Sequence, residues 1–328
     1  MDLVTGGTGF VGAHVVRALL RHGRGVRCLV RASSRRANLE GLPVEIAIGD
    51  VTDPDSLRRA MAGVNTVYHC AADYRLFAPD PRTLYEANVT GTENVLRAAE
   101  AAGVDKVVHT SSVGALGRMV NGTPANERTP VAPESLVGHY KRSKYDAERV
   151  AEKWAARGLP VVIVNPSTPV GDLDVKPTPT GQMIVDFLNR RMPAYVDTGL
   201  NLVDVRDVAE GHILAAQRGR VGEKYILGNR NMTLKEILDD LSRLTQIPSP
   251  RFKLPHWIPL AAATADTFAA RLTRRTPRVP LEGVRMSRYR MFFDASKAVA
   301  ELAIPQSSVE KALARAVAWF RENGYVRA

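Results

Sequence analysis

Tyr140 and Lys144 stand four residues apart in His139-Tyr140-Lys141-Arg142-Ser143-Lys144. On a helix that spacing puts a phenol and an ammonium on one face. A free phenol titrates at about pH 10, too high to shuttle a proton at neutral pH, and a neighbouring ammonium lowers that value by favouring the phenolate. The pair therefore reads as a general acid/base with its electrostatic partner. The bland alternative is a helical Tyr and Lys on a solvated face. Thr110-Ser111-Ser112-Val113-Gly114 follows a β-rich run and brings hydroxyls to a strand end, where one of them can hydrogen-bond a reacting oxygen.

The chain opens with Val4-Thr5-Gly6-Gly7-Thr8-Gly9-Phe10-Val11-Gly12. Gly6, Gly9 and Gly12 lie between a strand and a helix. A tight turn, close approach of a pyrophosphate, and helix packing each ask for a residue without a side chain. The helix start at Phe10 and Val11 then offers unpaired N–H groups to phosphates. This is a dinucleotide-binding turn. A carboxylate at the end of the second strand would bind a ribose 2′-hydroxyl; here Arg31 stands there, followed by Ser33, Ser34, Arg35 and Arg36. That favours a 2′-phosphate, hence NADP(H) over NAD(H), with NAD(H) as the alternative. Asp50, with Val51 after it, follows the third strand and is placed to hydrogen-bond the adenine amino group; a turn-stabilising Asp is the competing reading. Ala71 and Ala72, after the fourth strand, leave room for the cofactor backbone. Lys144 can also hold the nicotinamide ribose. No metal site is expected.

The elements that must position these groups follow from periodicity. Strands are predicted at Leu3–Thr5, Val26–Val30, Val44–Ile48, Thr66–Cys70, Val107–Thr110 and Val161–Val164, alternating with helices that include Pro81–Ala102 and Gly138–Arg157. Such alternation predicts an α/β fold with a doubly wound parallel sheet, a Rossmann fold, and a smaller, mostly helical C-terminal substrate domain. Residues 1–165 form the NADP-binding domain, with 203–228 returning to it; 166–202 and 229–328 form the substrate domain. Val203 to Val208 is expected to return to the sheet region, Met183–Asn189 to be helical, Tyr225–Leu227 a strand, and Thr233-Leu234-Lys235-Glu236 a capping box.

The 328 residues carry 45 Lys and Arg against 34 Asp and Glu, a net charge of +11. That balance favours acidic partners: a phosphorylated cofactor or substrate, or an anionic membrane surface. No basic block interleaved with aromatics points to nucleic acid. No apolar run is long enough to span a bilayer, and Asp2 stands where a secretion signal would be basic. Cys28 and Cys70 read as free core thiols, so a reducing cytoplasm is expected, with peripheral contact at the inner membrane face as an option. Trp257 to Leu272 is apolar over much of its length and flanked by Arg251, Lys253, Arg271, Arg274 and Arg275; it reads either as an interfacial helix or as an ordinary substrate-domain helix.

Taken together, Thr5–Gly12, His69-Cys70-Ala71-Ala72, Asn88-Val89-Thr90-Gly91-Thr92, Thr110-Ser111-Ser112, Tyr140 to Lys144 and Asn165-Pro166 resemble the extended short-chain dehydrogenase/reductase superfamily. Ala71 to Arg75, Gly138 to Lys144, Lys176 to Gly181 and Pro193 to Asn201 are most similar to its hopanoid-associated sugar epimerase group, itself similar to dihydroflavonol reductases. The resemblance implies Tyr140 as general acid/base, Lys144 as its partner, and Ser112 as the serine on the reacting oxygen, with Ser111 the fallback. It implies Asn88 in a supporting role, Asn165 and Pro166 near the nicotinamide, and a homodimer packed through the two long helices. Sugar 4,6-dehydratases of this superfamily usually carry an Asp-Glu pair where Val113-Gly114 stands here, so dehydration is not expected. Asp73, Tyr74, His139, Lys176, Tyr195 and Asn201 are the candidate substrate contacts.

The sequence thus predicts an NADP(H)-dependent oxidoreductase acting on a secondary alcohol or ketone of a small sugar-like or lipid-linked molecule. Epimerisation by transient oxidation with retained cofactor is the alternative, and a non-catalytic NADP-sensing protein a further one.

Overall fold

The computed structural model describes residues 1–119, 121–273, 277 and 281–327, with the side chains of residues 135, 271 and 272 left out. Arg274 and Arg275, and the side chain of Arg271, lie outside the described residues.

The N-terminal half runs β1 (Asp2–Thr5), α1 (Phe10–Arg21), β2 (Val26–Val30), β3 (Glu45–Ile48), α2 (Pro54–Ala60), β4 (Thr66–His69), α3 (Arg82–Tyr85), α4 (Gly91–Ala102), β5 (Lys106–Thr110), α5 (Gly138–Ala156) and β6 (Val161–Pro166). The remainder runs β7 (Thr168–Val170), α6 (Pro179–Leu188), β8 (Ala194–Val196), β9 (Gly199–Asp204), α7 (Val205–Arg218), β10 (Lys224–Leu227), β11 (Arg230–Thr233), α8 (Leu234–Thr245), β12 (Phe252–Leu254), α9 (Trp257–Leu272), α10 (Leu281–Met286), β13 (Arg290–Met291), α11 (Ser296–Leu302) and α12 (Val309–Glu322).

Seven strands pair in the order β10-β6-β5-β4-β1-β2-β3, each pairing parallel. Short Val-rich strands buried on both faces form such a sheet because helices cover both sides. One layer, with Val15, Val16, Leu19, Val208 and Ile213, packs α1 and α7 on the sheet. The other, with Leu57, Val95, Leu96, Ala151 and Trp154, packs α2, α4 and α5. The chain leaves β1 and β4 in opposite directions along the sheet. Their carboxyl ends therefore form the crevice where open α/β sheets bind ligands.

Several elements differ from the sequence pattern. The Pro81–Ala102 stretch is not one regular helix: Glu86–Thr90 forms a wider π turn between α3 and α4. That turn points Asn88 inward, where it is 1% exposed. Gly103 ends α4 with a φ of 64°, a conformation that suits glycine. α6 starts earlier than expected, because the Thr178 side chain accepts from Gly181 N and Pro179 occupies the first turn. Val203 and Asp204 belong to a small sheet in which β9 pairs with β11, β13 and β7. Asp204 then caps α7 by accepting from Arg206 N, so the chain returns to the large sheet as a helix. The Thr233–Glu236 capping box forms, and Glu236 Oε2 accepts from Thr233 N at 2.7 Å.

The C-terminal half has its own core, in which Ile184, Phe187, Leu202, Ile237, Leu313 and Phe320 meet. It is less purely helical than its sequence suggests, because β8 pairs with β12 beside the small sheet around β9. Ala298, Leu302 and Ile304 join the core of the large sheet, so α11 packs back on the N-terminal half although its place in the sequence suggests the substrate domain.

Candidate active site

Gly6 adopts a φ of 73°, and a Cβ on it would stand 2.7 Å from Ala71 N. A Cβ on Gly12 would stand 2.2 Å from Gly6 O, so α1 packs on the turn only through a glycine. A Cβ on Gly9 would meet nothing closer than Gly6 O at 3.3 Å, leaving its outer side open. No side chain caps α1 and no acid sits in its first turn. The N–H groups at Phe10 and Val11 thus face outward as a ready anion cradle. These observations fit a dinucleotide whose pyrophosphate rests on α1.

The neighbouring strand ends complete this side. Arg31 is exposed just past β2. Asp50 Oδ1 accepts from Thr52 N at 2.9 Å and from Thr52 Oγ1 at 2.8 Å, so one carboxylate oxygen staples its own turn. Val51 packs against Gly91, and its carbonyl accepts from Asn94 Nδ2. Ala71 N donates to Thr5 Oγ1 at 3.2 Å, tying the β4 exit to the glycine turn. Ala72 is exposed there.

α5 brings the chemistry to the same edge. Lys144 is 3% exposed and donates from Nζ to Thr110 O at 2.8 Å. Burial lowers its pKa to about 8, against an upward pull from Glu148 and Cys70. Tyr140, one turn earlier, lies close enough to Ser112 for the serine hydroxyl to favour the phenolate. Ser112 Oγ accepts from Gly114 N at 3.0 Å, which leaves the hydroxyl proton free to point at the phenol. The structure thus brings Ser112, Tyr140 and Lys144 together.

One electrostatic expectation is corrected. Burial holds the Tyr140 phenol above its ordinary value, with the Ser112 hydroxyl pulling it partly back. Lys144, itself poorly solvated, turns its ammonium to the end of β5.

The two serines differ in their partners through Glu148, a residue the motif reading passed over. Ser111 Oγ donates to the fully buried Glu148 carboxylate at 2.6 Å. Asn165 Nδ2 donates to the same carboxylate at 2.6 Å and to Ser112 O at 3.1 Å. Lys224 on β10 completes the pair from the far side at 3.2 Å. The signal for Glu148 was its position four residues after Lys144 on one helix face. Asn165 Oδ1 is buried without a hydrogen-bond partner, an acceptor suited to an amide such as that of a nicotinamide. Pro166 ends β6 next to it and pairs with Leu227.

Other expected contacts divide. Asn88 holds the loop after β4, accepting from Asp73 N at 2.7 Å and donating to Asp73 O and Ser143 Oγ. Its role is to fix that loop and α5. Asp73 is bound by Arg75, and Tyr74 donates to Lys176 O at 3.0 Å, closing the loop after β4 onto the segment before α6. His139 is exposed and meets Tyr85 Oη at 3.3 Å. Tyr195 packs against the C-terminal core. Asn201 is fully buried and binds Asn229, Asn231 and Phe293, so its amide staples the small sheet and does not reach a substrate.

Residues 3–228 match the model of the NAD dependent epimerase/dehydratase family. The chain is 51% identical to a Synechocystis protein whose dihydroflavonol 4-reductase name is itself provisional, over 99% of this chain and 95% of that one. It is 40% identical to sterol demethylase protein B of Methylococcus capsulatus, over 99% of each. Among solved structures, gox2253 superposes with a TM-score of 0.89 at 47% identity, covering 100% of this chain and 99% of the other. By these matches the chain belongs to the NAD dependent epimerase/dehydratase family and is an NAD(P)-dependent extended short-chain dehydrogenase/reductase.

Proposed function

We propose that this enzyme is an NADP(H)-dependent oxidoreductase of a secondary alcohol or ketone on a lipid-linked or sugar-like skeleton. The juxtaposition of Ser112, Tyr140 and Lys144 at the carboxyl edge of the sheet carries this reading. A bound nicotinamide would accept or supply the hydride. Ser112 orients the substrate oxygen through its hydroxyl. Tyr140 gives that oxygen a proton on reduction and takes one on oxidation. Lys144 offers the buried positive charge that the phenolate stage requires. Arg31 at the end of β2 supports a 2′-phosphate. Asn165 and Pro166 border the nicotinamide, Asp50 and Val51 the adenine, and Ala71 and Ala72 the cofactor backbone. Asp73, Tyr74 and His139 border the entrance to the substrate.

The lipid-linked side draws support from the sterol demethylase relative and from a human relative named as a decarboxylating sterol-4-alpha-carboxylate 3-dehydrogenase, 28% identical over 78% of this chain. Epimerisation is the second reading. It is favoured by the likeness to a nucleoside-diphosphate-sugar epimerase structure from Pseudomonas aeruginosa, at 28% identity and a TM-score of 0.82. Val113-Gly114 leaves no acid/base pair for elimination. A homodimer through α4 and α5 completes the proposal.

Redox stoichiometry tests it. Purified enzyme is assayed for retained cofactor, for its NADPH and NADH dissociation constants, and for NADPH consumed per product formed. The proposal expects reversible binding that favours NADPH and one NADPH per product. Retained oxidised cofactor with no net consumption would establish the epimerase, and tighter NADH binding would overturn the NADP assignment.

A further inference from the structure

Lys141 follows the catalytic tyrosine and is turned inward. It is 9% exposed, and its Nζ contacts Met291 Sδ at 3.6 Å rather than any oxygen. Its stem lies across Gly114: a Cβ there would stand 3.5 Å from Lys141 Cγ. The lysine thus crosses the turn that presents Ser112. Arg118 approaches from the same turn. Its Nη1 is buried without a hydrogen-bond partner, and its guanidinium stacks 4.0 Å from the centre of the Tyr289 ring. Both cations therefore converge on the segment 289–291.

Burial, with Arg118 reinforcing it, holds the Lys141 ammonium down at about 8. Among the described residues no ion pair involves either side chain. Most buried charges are paired, and two like charges sharing a desolvated site destabilise the fold until an opposite charge joins them. A buried lysine beside a half-buried arginine with one buried, unpartnered nitrogen is therefore suited to an anion supplied from outside.

We propose that Lys141 and Arg118 form an anion subsite beside Tyr140, and that the substrate carries an acidic group, a carboxylate or a phosphate, close to its reacting carbon. This rests on the reading of Tyr140 as the acid/base and deepens it by naming the substrate class. The subsite selects acids over the corresponding neutral alcohols, and it orients the substrate by a second point beside the Ser112 contact. Arg118 supplies a flat two-pronged donor and Lys141 a compact charge.

The test uses the enzyme saturated with NADP+, so that the phosphate positions of the cofactor are filled. It is melted in sodium acetate, in inorganic phosphate and in chloride at matched ionic strength. A ligand that binds only the native state raises the melting temperature saturably. Wild type is expected to show such a rise in at least one of the two anions relative to chloride, and the anion that saturates first distinguishes a carboxylate from a phosphate. Lys141→Met, which keeps an apolar stem beside Met291, is expected to lose the rise, and Lys141→Arg to keep it. Should Lys141→Met fail to fold, Arg118→Gln carries the same comparison. An equal rise in wild type and both variants, or no rise over chloride with either anion, overturns the proposal. Tyr140→Phe is expected to retain the anion response while losing turnover, so failure of the subsite and failure of the acid/base assignment give different results.

Discussion

Glu148 shows how much of the site rests on a residue that never meets the substrate oxygen. Its carboxylate accepts from Ser111 and Asn165, and Asn165 in turn holds the Ser112 carbonyl. Glu148→Ala removes the acceptor and leaves two buried donors unpaired. It is expected to lower kcat by roughly ten- to a hundredfold, the loss of a charged hydrogen bond. Glu148→Gln keeps an acceptor oxygen but removes the charge that raises the pKa of Lys144. Lys144 then loses its proton at lower pH, so the alkaline limb of the pH–rate profile moves down while peak rate falls less. An unmoved limb would contradict this. At this scale Tyr140 and Lys144 were legible because four-residue spacing has one geometric meaning on a helix. Glu148 was not, since a glutamate in a charged helix reads equally well as a surface ion pair. The expected Asn201 contact was misplaced because its position in the sequence does not tell that it lies in a buried strand, β9.

At the scale of elements, the glycine turn and the strand ends were readable because each places a steric demand on a short stretch of sequence. The π turn at Glu86–Thr90 was not, because it inserts a wider turn without breaking helical periodicity. α9 poses a functional question. Trp257 is 68% and Phe268 66% exposed, and Phe252 just before the helix is 73% exposed, so its apolar face lacks cover. No helix among the described residues is long and apolar enough to cross a membrane. An interfacial helix instead lays such a face into the headgroup region, with cationic flanks on anionic lipid. Arg251 supplies one such charge, while Lys253 is paired with Asp197 at 2.8 Å. Sedimentation with anionic vesicles at low salt is expected to carry down the wild type, and the Trp257→Ser, Phe268→Ser double variant is expected to stay in solution. Wild type left in the supernatant would end the membrane reading.

For the molecule as a whole, alternation of short buried strands with amphipathic helices was enough to predict a doubly wound parallel sheet, which the structure builds from seven strands. The small C-terminal sheets escaped notice because strands of two to six residues carry too few alternations to read. The packed interior also carries a charge history. His69 is held down to about 3, His212 to about 4 and His109 well below its ordinary value, in each case chiefly by burial. Such groups bind fewer protons folded than unfolded between those values and about 6.5, so the stability they contribute is complete above 6.5 and is lost as pH falls. Asp174, raised to about 6 by burial, works in the opposite direction between its ordinary value and 6. His109 has both ring nitrogens buried without partners. His109→Leu is therefore expected to melt higher than wild type at neutral pH by about 1 to 3 kcal/mol of stability, with the gap widening below pH 6.5 by up to about 1.4 kcal/mol per pH unit. A constant gap from neutral pH to pH 5 would refute the burial of an uncharged imidazole there.

The account depends most on Tyr140 handling the proton beside a nicotinamide bound at the glycine turn. Single-turnover hydride transfer by Tyr140→Phe, measured alongside its NADPH dissociation constant, tests this directly. The phenyl ring preserves packing and removes only the hydroxyl. The rate is expected to fall by about 10²- to 10⁴-fold with cofactor affinity unchanged. A variant that transfers hydride at close to the wild-type rate would contradict the assignment.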